Sequence, residues 1–115
     1  MRNAMKQRLT RAAVTLLVGI AAAGAAVTAP AAPITHTVNM DGTAFVPETI
    51  TVHKGDRVVW VNKDPFPHTA TSQKAGFDSK TIAPNKSWRY IVHKAGKFTY
   101  VCKLHPTMTG TLIVE

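Results

Sequence analysis

Beyond residue 32, apolar and polar side chains alternate in short runs broken by turn-forming residues. Ile34–Met40 alternates with β-branched residues and reads as a first strand. In the run from Phe45 to Gly55, Ile50 and Val52 oppose Thr49, Thr51 and His53, and Lys54-Gly55-Asp56 is a turn signal leading into Arg57–Asn62. The two runs are expected to pair as a β-hairpin. Ser87–His93 sets Trp88, Tyr90 and Val92 on one face, with a turn at Ala95-Gly96-Lys97. In Lys97–Cys102 the same two-residue period groups Phe98, Tyr100 and Cys102, and an aromatic face is a core face, so Cys102 should point inward at a strand end. Thr109–Glu115 is the expected last strand, with Leu112 and Val114 inward. Between them, Asp64–Pro84 is rich in Pro, Gly, Ser and Thr and predicts loops with a short strand or two. Many short strands, frequent turns and no 3.6-residue period predict an all-β sandwich.

The first 31 residues follow another pattern. Arg2, Lys6, Arg8 and Arg11 precede an uncharged apolar run, Ala12–Val27, and then Ala29-Pro30-Ala31. These are the parts of a secretory signal peptide. Cleavage after Ala31 leaves a domain of residues 32–115 and implies export, to the periplasm or beyond. The rival reading is a retained membrane anchor, but the apolar run of 16 residues, 12–27, is shorter than the roughly 20 a spanning helix needs. No membrane span is expected after cleavage.

The leader also changes the charge. The whole chain carries +8, but four of the 14 Lys and Arg lie in the first 31 residues and none of the six Asp and Glu does, which leaves +4 on residues 32–115. Those basic residues are scattered, not arranged in the aromatic-laced stripe of a nucleic-acid binder, so no nucleic-acid partner is expected. An exported protein normally pairs its cysteines, yet Cys102 is the only one. It is therefore either inert and buried, or used.

The segment Cys102-Lys-Leu-His105-Pro-Thr-Met108 favours use. It puts a thiolate, an imidazole and a thioether on one short loop, with Pro106 expected to stop a strand there. A His₂Cys set with a weak axial Met is the ligand pattern of a blue-copper electron-transfer site. The best second histidine is His68, in the Pro-rich loop Asn62-Lys-Asp-Pro-Phe-Pro-His68-Thr-Ala after a strand-like run. Met40 is the competitor for the axial place, and a zinc site is the other metal reading, although thioether is not among zinc's usual ligands.

The C-x-x-H-x-x-M spacing, the closing H-P-x-M-x-G and the P-E-x-I-x-V-x-x-G-D-x-V-x-W-x-N run resemble the cupredoxins, blue copper proteins of the amicyanin-like and plastocyanin–azurin kind. The resemblance covers about Val38 to Glu115 and implies a Greek-key sandwich holding one type 1 copper through His68, Cys102, His105 and Met108. It further implies a small monomeric carrier of single electrons between redox partners, not an enzyme. The alternative is a copper-binding or copper-delivery protein with the same ligands. Copper oxidases and nitrite reductases use related domains but need further histidine clusters, and His36, His53 and His93 each stand alone, read as surface strand or turn residues. Two positions depart from the family: Thr69 stands where an Asn commonly braces the Cys loop, and Leu104 replaces a proline, freeing an N–H that could reach the Cys102 sulfur. Pro65, Phe66, Pro67, Leu104 and Pro106 flank the ligands and are expected to form an apolar docking patch, with Lys63 and Lys103 at its rim facing an acidic partner.

Overall fold

The computed structural model describes residues 12–21, 23–26 and 31–115. The basic stretch holding Arg2, Lys6, Arg8 and Arg11, and residues 27–30 before the expected cleavage point, lie outside the described residues. Residues 12–21 and 23–26 form neither helix nor strand, and among the described residues no helix is long and apolar enough to cross a membrane.

From residue 35 onward the described chain forms nine strands and no helix: β1 Thr35–Met40, β2 Phe45–Val46, β3 Thr49–Val52, β4 Arg57–Asn62, β5 Thr71–Ser72, β6 Phe77–Asp78, β7 Ser87–Ile91, β8 Gly96–Cys102 and β9 His105–Val114. They make two sheets, in the orders β2-β1-β4-β7 and β3-β9-β8-β5-β6. The pairs β1–β4 and β3–β9 are parallel and the others antiparallel. This is a two-sheet sandwich with the crossed connections of a Greek key.

The hairpin expected of Phe45–Gly55 and Arg57–Asn62 does not form. β3 pairs with β9 in one sheet, and β4 lies between β1 and β7 in the other. A two-residue period says which face of a strand is apolar, not which strand it pairs with, and Val52 and Val58 here belong to opposite sheets of one core. The turn Lys54-Gly55-Asp56 instead crosses between the sheets. Lys54 N–H donates to Glu115 O at 3.1 Å, Gly55 N–H donates to Val92 O at 2.7 Å, and Gly55 takes φ +92°, which glycine adopts without strain.

Trp60, fully buried, is the centre of the core. Its ring lies 5.4 Å from Phe77, 5.6 Å from Trp88 and 5.4 Å from Tyr100, so residues of both sheets meet on it. Aromatic pairs of this kind contribute about 0.5–1.5 kcal/mol each beyond the area they bury. Phe98, Tyr100 and Cys102 are buried together on β8, as are Leu112 and Val114 on β9, while Trp88 and Tyr90 are half-buried against the core.

The last strand begins earlier than expected, at His105 and not Thr109, and Pro106 does not stop it. The register explains this. Val101 pairs with Thr109 and Cys102 with His105, so residues 106–108 have no partners on β8 and form a bulge. A proline, which has no N–H to give the ladder, is tolerated at such a place.

Candidate metal centre

The hairpin between β8 and β9 has a two-residue turn, Lys103-Leu104, which sets Cys102 and His105 across from each other at one end of the sandwich. His68 arrives from the loop after β4. Its backbone is pinned to Ile82, each donating an N–H to the other's carbonyl, at 3.2 and 2.8 Å. Cys102 Sγ consequently lies 3.6 Å from His68 Nδ1 and 3.7 Å from His105 Nδ1, and the three donor atoms all fall within 4.8 Å of one another. Cys102 and His68 are fully buried and His105 half-buried. Three soft or borderline donors facing one point, two of them shielded from water, fit a thiolate-loving ion such as copper.

His68 is aimed by a residue that the sequence pattern did not single out. Asp64 Oδ2 lies 2.7 Å from His68 Nε2. A carboxylate can only accept, so Nε2 carries the proton and Nδ1 presents its lone pair toward Cys102. Asp64 is held in turn by N–H groups of Gly42 (2.8 Å) and Thr43 (2.9 Å), and its own N–H donates to Asn62 Oδ1 at 2.9 Å. Burial alone would push its carboxyl up, but the Thr43 N–H, His68 and the Gly42 N–H outweigh that and hold it below the ordinary value. Asn62 also donates to the carbonyls of Phe66 (2.8 Å) and Ile82 (3.0 Å), tying the ligand loop to its neighbour. The signal available in sequence was Asp64's place four residues before His68, but whether a loop folds back over four residues is set by tertiary contacts.

The two departures from the family pattern resolve in opposite ways. The hydrogen bond to the Cys102 sulfur comes from Thr69 N–H at 3.3 Å, not from Leu104. The Thr69 hydroxyl does brace the loop, because Lys103 N–H donates to it at 2.9 Å.

Met108 is buried on β9 as the last residue of the bulge, three residues from His105 in sequence, and Met40 is buried at the end of β1. The remaining histidines lie apart from this cluster. His53 and His93 are exposed, as expected, but His36 is half-buried and bonded through Nε2 to Asp56 Oδ2 at 2.9 Å, so it is a partnered residue and not a plain surface one. Around the ligands, Phe66 is 38% and Leu104 50% exposed, and Pro65, Pro67 and Pro106 are exposed too. The Phe66 ring lies 5.2 Å from that of His68 and 5.5 Å from that of His105.

The fold and this donor set define a single class. The cupredoxin-like domain profile matches residues 11–114, and the chain belongs to that family. Among its relatives, plastocyanin of Tetradesmus obliquus is 30% identical over 98% of this chain and 85% of its own, and amicyanin of Paracoccus versutus is 27% identical over 68% of this chain. The latter match spans 63% of that amicyanin, less than two thirds of its length. Among solved structures, a Cu(I) amicyanin mutant superposes with a TM-score of 0.65 at 23% identity, covering 70% of this chain and 82% of its own. The copper-containing nitrite reductase of Thermus scotoductus gives 0.65 at 27% identity, covering 73% of this chain but 22% of that much longer one.

Proposed function

We propose that this protein carries single electrons by means of one type 1 copper held by His68, Cys102 and His105, with Met108 as the weak axial ligand. The convergence of His68 Nδ1, Cys102 Sγ and His105 Nδ1 within 4.8 Å is the observation that carries this reading. The family, and relatives named amicyanin and plastocyanin, support it. Copper bound there would supply a one-electron Cu(I)/Cu(II) couple.

The protein's own part is rigidity and shielding. Asp64 fixes the His68 tautomer, the His68–Ile82 bridge fixes its backbone, and the β8–β9 hairpin fixes Cys102 against His105. Donors that are already in place need little rearrangement when the electron arrives. His105, half-buried among Phe66, Leu104 and Pro106, is the exit, and the apolar patch around it suits a brief encounter with a redox partner. Lys63, which forms no ion pair among the described residues, favours an acidic docking surface on that partner. The protein works as an exported monomer after removal of residues 1–31. We read it as a carrier that transforms no substrate, a reading supported by the relatives named amicyanin and plastocyanin.

Copper delivery is the competing use of the same ligands, and an exchangeable ion separates the two. Voltammetry of the copper-loaded protein is expected to show a reversible one-electron couple, with the metal retained against a moderate Cu(I) chelator. Rapid loss of copper to the chelator, with no stable couple, would favour delivery.

A further inference from the structure

The brace on the Cys loop continues past Thr69. The Thr69 and Thr71 hydroxyl oxygens lie 3.1 Å apart, the Thr71 hydroxyl donates to Asp78 Oδ1 at 3.1 Å, and Lys103 Nζ donates to Asp78 Oδ2 at 2.6 Å. Hydrogen-bond chemistry fixes the direction of this chain. Asp78 only accepts, so the Thr71 proton is directed to it, and the Thr71 oxygen is left to accept from Thr69. The Thr69 oxygen then accepts from Lys103 N–H. Backbone and side chain of the one residue next to Cys102 thereby enter the same circuit from its two ends. Lys80 N–H, at 2.9 Å from Asp78 Oδ1, holds the carboxylate in place.

We propose that Thr71 and Asp78 are positioning residues of the metal centre: with Thr69 and Lys103 they close a ring of hydrogen bonds that fixes both the peptide after Cys102 and the N–H that donates to its sulfur. The proposal rests on the copper reading above. Thr69 is the pivot. Its N–H reaches Cys102 Sγ and its hydroxyl holds Lys103 N–H, so Thr69 contacts the thiolate and the loop together. Bonds aligned head to tail and ending on a carboxylate polarise one another, so a change at Thr71 is felt at Thr69. A weaker N–H to the sulfur leaves the electron-rich thiolate of the reduced state less stabilised and lowers the potential.

Thr71→Val keeps the shape and removes the hydroxyl, Thr71→Ser restores it, and Asp78→Ala removes the anchor. Two readouts separate positioning from bulk stability. Hydrogen exchange of the Lys103 amide, followed by NMR in the protein as purified, is expected to quicken about fivefold in Thr71→Val and Asp78→Ala, the factor that one net hydrogen bond supplies, and to return in Thr71→Ser. After copper loading, the same two variants are expected to show a shifted visible band and a lower potential, while Thr71→Ser matches the wild type. Unchanged exchange in both variants would overturn the ring. Faster exchange with an unmoved band and potential would overturn its positioning role, since a purely structural ring moves only the first. If the wild type itself shows no intense band with Cu(II), the copper reading fails, and the exchange result still decides whether the ring holds the loop.

Discussion

Asp56, one carboxylate in the turn between β3 and β4, accepts from Ile34 N–H at 3.0 Å, His53 N–H at 3.0 Å and the His36 imidazole at 2.9 Å. These donors, the Ile34 N–H foremost, hold its carboxyl well below the ordinary range. A depressed folded-state pKa means that the stabilisation is complete above the ordinary carboxylate value, about 4, and fades as pH falls through the window beneath it. Asp56→Asn keeps one accepting oxygen of the two, so it is expected to lower the urea midpoint at pH 7 and to cost clearly less at pH 2, where part of the carboxylate's contribution is already lost. An equal loss at both pH values would mean that the ionised carboxylate is not what matters. Nothing in the turn signal Lys54-Gly55-Asp56 announced this role, because two of its three partners, Ile34 and His36, lie just before and within β1, far off in sequence.

β8 and β9 meet at a pair that only glycine satisfies. Gly110 lies opposite Tyr100, whose ring covers it so closely that an added Cβ would overlap the ring carbons. Gly110→Ala must move a ring packed 4.5 Å from Phe45 and 5.4 Å from Trp60, and overpacking of this sort costs about 1–3 kcal/mol, measurable by urea unfolding. Equal stability of variant and wild type would show that the ring has room to yield. Most strands were readable from alternation: Phe98, Tyr100 and Cys102 share a buried face because period two is a property of the strand itself. The partners were not readable. β3 and β4 were expected to join, and the start of β9 was placed four residues late, because pairing and the bulge at residues 106–108 depend on contacts between distant segments.

At the scale of the molecule, residues 32–115 carry a net charge of +4, and an apolar patch lies at the candidate centre. Lys103, expected as a free rim charge, is 54% exposed but paired with Asp78, so Lys63 is the better steering charge. Oxidation of the reduced protein by hexacyanoferrate(III), an anion, is expected to slow as ionic strength rises, and Lys63→Glu should flatten that dependence. A rate that rises with salt would place electron exit elsewhere. Cys102 and His105, which the structure brings together with His68, were legible because their spacing is local and the cysteine is single; His68 needed the Pro-rich loop as a pointer, and Asp64 and Asp78 stayed hidden because their roles exist only in the folded loops. The centre itself is tested most directly by the visible absorption of the protein titrated with Cu(II). An intense thiolate-to-copper band that saturates at about one equivalent and vanishes in Cys102→Ser is the result expected of a His₂Cys centre. A nearly colourless wild type, or a band that survives in Cys102→Ser, would contradict it.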